Sequence, residues 1–294
     1  MRRAYRIAAA IGLIAALGGA AAPRRPGIEI VGSAELFAPG IASTASSEVR
    51  LTISPDGRTA LWFSRNRPGG AGGYDIWISR LVAGRWAQAQ PVPFNSPTRD
   101  FDPAFSADGR QVYFCSDRPG GLGGDDVYRV AVTRDGFGPV ERLDAAVNSA
   151  GNEFAPMISP DGKTLLFSSD RPGGAGRQDL YIATRQGVRF APARPLPGAV
   201  NTAGDEFDAT FLSDSAAIVF ARAADFSVDR IDLFQTRPAG GRYHAGTVLP
   251  ASVNMSDKDS YGAMLDWSQP DRLTFSGQRA EATSMELYLI RYRR

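Results

Sequence analysis

The stretch from Ile158 to Gly162, Ile-Ser-Pro-Asp-Gly, decides the fold because it recurs along the chain with its downstream neighbours. It is followed by Phe167 and then by Arg-Pro-Gly-Gly at 171–174. Near copies occupy 53–57 with 67–70 and 105–109 with 118–121. Degenerate copies follow at 211–214 and 264–265. Five copies with a period of about fifty residues predict a repeat architecture.

Two columns of acidic residues support the same period. The first column precedes each Ser-Pro-Asp-Gly-type turn and comprises Glu48, Asp100, Glu153, Glu206 and Asp259. The second column lies two residues before an aromatic residue and comprises Asp75, Asp126, Asp179, Asp232 and Glu286. Because the columns are independent of the turn motif, they indicate five true repeats.

Each unit contains four short runs with strand character, separated by turn residues. In the third unit these runs are 153–159, 164–168, 180–184 and 189–196. Four strands per unit of this length is typical of one propeller blade. The sequence therefore predicts an all-β fold: a five-bladed β-propeller of four-stranded antiparallel blades. We expect one domain over residues 23–294, with blades at about 47–97, 98–149, 150–203, 204–256 and 257–294.

The two ends of the repeat array complement each other. An asparagine follows the fourth strand at positions 95, 148, 201 and 254, five residues before the next blade's acid. Counting five back from Glu48 reaches Ser43, so residues 30–38 read as a fourth strand without its own first three. The last unit has only three strands. We expect the N-terminal strand to complete that blade, which removes open sheet edges.

The Ser-Pro-Asp-Gly, Ser-Asp-Arg-Pro-Gly-Gly and Asp-hydrophobic-Tyr pattern resembles the WD40-like PD40 repeats of the TolB propeller family. The resemblance covers nearly all of the chain after the leader. It implies an exported propeller that binds protein. TolB proteins have six blades and an additional N-terminal α/β domain, so five units depart from the pattern and leave the partner undefined.

The first 22 residues resemble a secretory signal. Three arginines precede a small, apolar run that ends in Ala20-Ala21-Ala22. The run is short for a membrane span, which needs about 20 residues, and an uncleaved anchor is the alternative. Without those three arginines the formal net charge of +2 becomes −1. We therefore expect a periplasmic or secreted protein with no membrane span after cleavage and no nucleic-acid partner.

Arginines of the Pro-Gly-Gly connections align with the first acid column. They are Arg67, Arg118 and Arg171, with Arg279 at the same offset in blade five, whereas blade four has Ala224 there. We expect the acids to ring one mouth of the central channel. In one interpretation the arginines pair with the acids and join neighbouring blades. In the other, an excess acid near blade four binds a cation or a basic group.

The second acid column is interpreted as structural, because a carboxylate before a strand can accept backbone N–H groups of the adjoining glycine-rich connection. The loop from Ala223 to Arg230 differs from the other connections, and we expect Asp225, Asp229 and Arg230 to shape specificity there. The leading hypothesis is a non-enzymatic scaffold that binds an envelope protein or peptide. The alternative is a binder of a small ligand, a glycan or a cation such as calcium at the channel mouth.

Signatures of enzymes are missing from the sequence. His244 is the single histidine, no Gly-x-Ser-x-Gly elbow occurs, and Cys115 lies in an apolar run that suits a core residue. We therefore expect no catalytic residues, no metal site and no cofactor. One enzymatic alternative stays open, because five-bladed propellers include glycosidases that need only two or three carboxylates around a funnel.

Overall fold

A computed structural model describes residues 27–279 and 282–294. The described residues form strands joined by turns and connections, arranged as a five-bladed β-propeller. The predicted fold is therefore confirmed. The proposed signal at 1–22 lies outside the described residues.

Each blade is a meander in which the first strand is innermost. Blade one comprises β2 (Glu48–Ile53), β3 (Thr59–Arg65), β4 (Tyr74–Val82), β5 (Arg85–Trp86) and β6 (Gln90–Pro91). Blade two comprises β7 (Asp100–Phe105), β8 (Gln111–Ser116), β9 (Asp126–Thr133) and β10 (Gly136–Arg142). Blade three comprises β11 (Glu153–Ile158), β12 (Thr164–Ser169), β13 (Asp179–Gln186), β14 (Arg189–Phe190) and β15 (Arg194–Pro195). The fourth strand is thus split in blades one and three, where both pieces pair with the third strand.

Blade four comprises β16 (Asp205–Phe211), β17 (Ile218–Ala223), β18 (Asp232–Thr236), β19 (Pro238–Ala239), β20 (Arg242–Tyr243) and β21 (Thr247–Val248). Blade five comprises β22 (Ser260–Leu265), β23 (Arg272–Gly277) and β24 (Glu286–Arg293). Its fourth strand is β1 (Glu29–Leu36), which pairs antiparallel with β24 from Glu29↔Arg293 to Leu36↔Tyr288. The N-terminal strand therefore closes the ring as predicted.

The N-terminal connection also copies the contacts of the other blade-to-blade connections. Asn148 lies in the connection from blade two to blade three, and its side-chain amide bonds both the N–H and the C=O of Val127. At the equivalent position in front of blade one, the hydroxyl of Ser43 accepts a hydrogen bond from the N–H of Leu287 at 3.1 Å. The segment after β1 is thus held like the other connections.

The Ser-Pro-Asp-Gly turns explain why the first two strands pair. In blade one, Oδ1 of Asp56 accepts bonds from Ser54 Oγ at 2.6 Å and from the Arg58 N–H at 3.0 Å. Gly57 has φ = 69°, a left-handed conformation that costs glycine little. Burial of the apolar faces between adjacent blades supplies the core.

The meander gives the disc two distinct faces. The hairpins between strands one and two and between strands three and four lie on one side, which we call the hairpin face. The connections between strands two and three and the connections between blades lie on the other side, which we call the loop face. Glycines of the loop face pack closely against the next connection: a Cβ on Gly123 would lie 2.0 Å from the carbonyl oxygen of Gly151.

Candidate functional site

A bulge repeats at the same place in all five inner strands, and it spans residues 49–52, 101–104, 154–157, 207–210 and 261–264. Each bulge holds one residue with positive φ, from 49° at Asp208 to 65° at Gly262. A bulge of this kind re-aims the side chain that it carries. The five residues are Arg50, Asp102, Ala155, Asp208 and Gly262.

Arg50 reaches across the centre of the propeller. Its Nε lies 3.9 Å from Oδ1 of Asp102 in blade two, and its Nη1 lies 3.7 Å from Oδ1 of Asp208 in blade four. Its Nη2 donates to the carbonyl oxygen of Pro156 in blade three at 3.2 Å. The Arg50 side chain is 0% exposed. One arginine therefore occupies the axis where a channel was expected.

The two aspartates extend this cluster to the remaining blade. Asp102 accepts the N–H of Ala155, and Asp208 accepts the N–H of Gly262 in blade five, both at 3.0 Å. Burial raises the pKa of Asp102 well above its usual range, and the nearby Asp208 raises it further, whereas Arg50 opposes the shift. Burial also raises the pKa of Asp208. These carboxylates are placed to bind blades together, away from solvent.

The first acid column lies beneath the loop face and is fully buried at Glu48, Asp100, Glu153 and Glu206. Each of these carboxylates also accepts a backbone N–H from the connection before it, as Glu153 does from Ser149 at 2.7 Å. The arginine partners lie in the same blade as the acids: Arg67 (3.6 Å), Arg118 (2.5 Å), Arg171 (3.0 Å) and Arg222 (2.6 Å).

The arginines contact the preceding blade through carbonyl groups. Arg118 donates to the carbonyl oxygen of Phe94 at 3.1 Å, and Arg222 to that of Val200 at 2.7 Å. Each guanidinium also covers an aromatic pair of its blade, as Arg171 does at 5.3 Å from the Phe167 ring centre and 4.8 Å from that of Tyr181. At the first acid column, arginine–carbonyl bonds therefore join neighbouring blades, while the ion pairs of this column stay within blades.

Two sequence alignments need correction in blades four and five. The excess acid near blade four does not exist, because Arg222 pairs with Glu206 from a position two residues before Ala224. In blade five, Ser260 pairs with Gly277 as Glu206 pairs with Arg222, so Asp259 lies one residue before the acid column. Asp259 instead accepts the N–H of Ile231 at 3.0 Å.

Arg279 keeps the arginine position of blade five without a partner acid among the described residues. It donates to the carbonyl oxygens of Ser252 at 2.6 Å and Val253 at 3.1 Å. Burial lowers the pKa of its guanidinium.

The second acid column has different contacts from blade to blade. Asp75 and Asp179 accept two N–H groups each from the glycine-rich connection, and Asp126 accepts that of Leu122. In blade four, where this connection has no glycines, Asp232 pairs with Arg230 at 2.5 Å. In blade five, Glu286 accepts the hydroxyl of Tyr288 at 2.7 Å.

The blade-four connection has an ordered backbone and exposed apolar side chains. Oδ2 of Asp205 accepts the N–H of Phe226 at 2.9 Å, and the carbonyl oxygen of Asp225 accepts that of Asp229 at 2.8 Å. Asp225 also pairs with Arg177 of blade three, which lowers the pKa of Asp225 to about 2. Phe226 is nonetheless 44% exposed and Val228 is 81% exposed.

An open cleft of about 590 Å³ lies beside this connection. Its floor and walls come from blade four and from the connection that enters it. The lining includes Thr202, Gly204, Arg222, Ala224, Arg230 and Phe234. The three sequence-predicted residues of the loop are thus separated: Arg230 borders the cleft, Asp225 faces blade three, and Asp229 is exposed.

Acidic residues outnumber basic residues in the segments of the loop face. On the loop face, the connections and adjoining strand ends hold 18 acidic residues: Glu48, Asp75, Asp100, Asp117, Asp125, Asp126, Asp144, Glu153, Asp170, Asp179, Asp205, Glu206, Asp225, Asp229, Asp232, Asp257, Asp259 and Glu286. The same described segments hold 11 basic residues: Arg65, Arg67, Arg99, Arg118, Arg142, Arg171, Arg177, Arg222, Arg230, Lys258 and Arg279. The loop-face segments therefore hold an excess of acidic over basic residues, and nine of these acids are buried.

The remaining expected residues and groups give no further site. Cys115 is buried, and burial raises the pKa of its thiol well above the usual range; His244 is exposed. Within residues 27–279 and 282–294, no group of three acidic, histidine or cysteine side chains is placed to hold a metal ion. The described part of the chain also contains no helix long and apolar enough to cross a membrane.

Solved structures with similar folds include a TolB protein and enzymes that act on arabinose-containing sugars. No protein-family profile matches the chain. TolB from Acinetobacter baumannii aligns with a TM-score of 0.50 and 15% identity over 84% of this chain, which spans 56% of the TolB chain. An α-L-arabinofuranosidase from Lactobacillus brevis aligns with a TM-score of 0.57 and 10% identity over 87% of this chain and 93% of its own. An endo-arabinase from Bacteroides thetaiotaomicron aligns with a TM-score of 0.53 and 12% identity over 85% of this chain and 96% of its own. At these identities the likeness extends to the propeller fold alone.

Proposed function

We propose that this chain is a non-catalytic, exported binding protein with PD40-type repeats, and that its loop face holds a segment of an envelope protein at blade four. The observation that carries the proposal is the blade-four connection. The connection comprises the eight residues before Asp232, and the blade-three connection comprises the eight residues before Asp179, so the two are equal in length. The blade-four connection, however, exposes Phe226 and Val228 and borders a cleft. Apolar anchors in a polar surround are typical of protein interfaces.

The partner that fits this surface is a basic segment with an apolar anchor. The excess of acidic over basic residues in the loop-face segments favours a basic partner, because complementary charge favours encounter and fixes orientation. Phe226 and Val228 would then contact the anchor. The likeness to TolB supports a propeller scaffold, and the choice of a protein partner rests on the loop-face chemistry of this chain.

The buried axis argues against the glycosidase alternative. Glycosidases need carboxylates that reach a substrate from a funnel. Asp102 and Asp208, the carboxylates at the axis, are each less than 5% exposed and lie against Arg50. We expect no hydrolysis of aryl arabinofuranosides; turnover that is lost in Asp102→Asn would overturn the non-catalytic proposal.

A loop exchange of equal length tests the binding surface. Residues 224–231 would be replaced by the sequence of 171–178, together with Arg222→Ser, which restores the arrangement of blade three. A partner is first identified in an envelope extract by crosslinking to the variant Val228→p-benzoylphenylalanine. We expect the exchanged protein to keep the wild-type melting temperature and to lose binding of that partner. A partner that is retained by the exchanged protein would place binding elsewhere and contradict the proposal.

A further inference from the structure

The hairpin face has a large excess of positive charge. Its hairpins and strand ends hold 14 basic residues: Arg58, Arg80, Arg85, Arg110, Arg134, Lys163, Arg185, Arg189, Arg237, Arg242, Arg272, Arg291, Arg293 and Arg294. The same described segments hold eight acidic residues: Glu29, Asp56, Asp108, Asp135, Asp161, Asp214, Asp266 and Asp271. The chain thus segregates its charges between faces although its overall formal charge is near zero.

Ion pairing leaves most of this positive charge available. Nine exposed arginines of the hairpin face have no ion-pair partner among residues 27–279 and 282–294: Arg58, Arg80, Arg85, Arg110, Arg134, Arg185, Arg189, Arg242 and Arg294. Asp56 and Asp108, which lie two residues before Arg58 and Arg110 in the chain, accept hydrogen bonds within their own turns.

The outermost hairpins add exposed apolar side chains to these arginines. In blade one, Val82 pairs across the hairpin with Arg85 and is 61% exposed. In blade three, Val188 lies in the turn next to Arg189 and is 76% exposed. Both turns are tight, so these side chains project from the rim of the face. Basic residues with protruding aliphatic tips are suited to an interface between water and lipid.

We propose that the hairpin face docks on the surface of an anionic lipid bilayer. The arginines would bind lipid phosphates, to which a guanidinium donates paired hydrogen bonds. Val82 and Val188 would enter the boundary between headgroups and acyl chains. The acidic loop face is repelled by the same surface and faces away from it. This proposal concerns the opposite face from the protein-binding site and does not depend on it.

The observations favour a bilayer over a soluble polyanion. A polysaccharide or nucleic acid would use the arginines but would gain nothing from valine side chains at the hairpin tips. The charged positions are also distributed around one face of a disc, which suits a flat partner. Each basic residue near an anionic surface contributes about 1 kcal/mol, so several arginines together can hold the protein there.

Vesicle co-sedimentation of the full chain tests the proposal. Vesicles of phosphatidylcholine alone would be compared with vesicles that contain about 30% phosphatidylglycerol as the anionic lipid. The main variant combines Arg85→Glu, Arg134→Glu and Arg189→Glu. We expect its affinity for the anionic vesicles to fall by about 100-fold or more, since three attractive charges are removed and reversed.

A matched loop-face variant serves as the control. It combines Arg65→Glu, Arg142→Glu and Lys258→Glu, which makes the same change of net charge on the other face. We expect its binding to change less than threefold or so. Residues 1–26 are present in every variant, so the difference between the two variants reports the hairpin face. Equal losses in both variants, or no binding by the wild type, would overturn the proposal.

A second variant separates a bilayer from a soluble polyanion. Val82→Ser with Val188→Ser keeps the charge and removes the apolar tips. We expect vesicle affinity to fall by roughly tenfold, because apolar burial contributes to interfacial binding. Dextran sulfate serves as the soluble probe. Tight binding to dextran sulfate together with unchanged vesicle affinity of the valine variant would identify a polyanion site and contradict bilayer docking.

Discussion

Blades three and four reach the same arrangement from different sequence positions. Arg171 and Arg222 each pair with a buried glutamate, donate to a carbonyl of the incoming connection and cover two aromatic rings. Arg171 is supplied by the Pro-Gly-Gly connection, whereas Arg222 is supplied by β17. The repeat thus requires a guanidinium at one point in space and tolerates a change in the residue that provides it.

This difference has a consequence for the connection itself. In blade three the connection must deliver the arginine and fold its glycines against the next blade. In blade four, Arg222 has taken over the first task, so the connection can carry Phe226 and Val228 without loss of the buried ion pair. The site proposed for binding a protein therefore lies where the repeat has lost a structural requirement.

The largest expected effect comes from removing either of these two arginines. Arg171→Met and Arg222→Met should each lower the free energy of unfolding by about 3–5 kcal/mol, because each leaves a buried carboxylate without its cation. Urea denaturation measures both values. The comparison predicts similar costs in the two blades, and a cost below about 1 kcal/mol for Arg222→Met would show that the two arrangements are not equivalent.

A double variant checks that the cost arises from the unpaired carboxylate. Arg171→Met combined with Glu153→Gln removes both charges and keeps a side-chain oxygen that can accept the N–H of Ser149. Removing both charges of a buried ion pair costs less than removing one, because no uncompensated buried charge is left. We expect the double variant to regain most of the stability that Arg171→Met loses, measured in the same denaturation experiment.

Sequence periodicity was sufficient for the fold and for the closing strand. Turn chemistry, strand spacing and the incomplete ends each depend on local residues, and all agree on five blades. Periodicity did not predict the positions at which a structural role passes from one residue of the repeat to another. In blade four the arginine is Arg222 instead of residue 224, and in blade five the position of the first acid column is Ser260 instead of Asp259. Both changes depend on strand register, which a fixed spacing along the chain does not encode.

The axis was missed for a related reason. Arg50, Asp102 and Asp208 each lie two residues after an acid of the first column, so these three could have been derived from the sequence alignment. The other two members carry no charge: Ala155 has the same offset, whereas Gly262 lies three residues after Asp259, and the column therefore resembles unrelated residues. Only the bulges and the ring closure bring one arginine against aspartates from two other blades.

Blade five offers a smaller test of the same comparison. Arg279 occupies the arginine position, but Ser260 replaces the buried acid. Arg279→Met removes two carbonyl bonds and the contacts with Phe275 and Tyr288 and leaves no described carboxylate unpaired. We expect a loss of about 1–2 kcal/mol by urea denaturation. A loss as large as that of Arg171→Met would mean that the acid contributes little in the other blades.

The smallest expected effect is a pH dependence of the unfolding free energy that the connection of blade two contributes and that of blade three does not. Asp125 in blade two corresponds to Gln178 in blade three, both immediately before the second acid. Burial raises the pKa of Asp125 to about 6, while the Arg99 guanidinium, 2.9 Å away, opposes the shift. The folded protein therefore binds a proton at Asp125 between about pH 3.9, the value for unfolded chains, and about pH 6.

The sign of the stability change follows from this proton. The contribution of Asp125 is fully present below about pH 3.9 and is lost as the pH rises through about 6, because the unfolded chain releases the proton first. Asp125→Asn should remove this slope, so the difference in unfolding free energy between wild type and variant should shift by about 1 kcal/mol across that range. Asp102 and Asp208 also have raised pKa values that act in the same direction, and most of their contribution is shared by both proteins and is removed in the difference. Urea denaturation of both proteins from pH 4 to pH 7 measures it, with Gln178→Asn as the blade-three control. A difference that stays constant with pH would mean that Asp125 is ionised throughout this range and is held by Arg99.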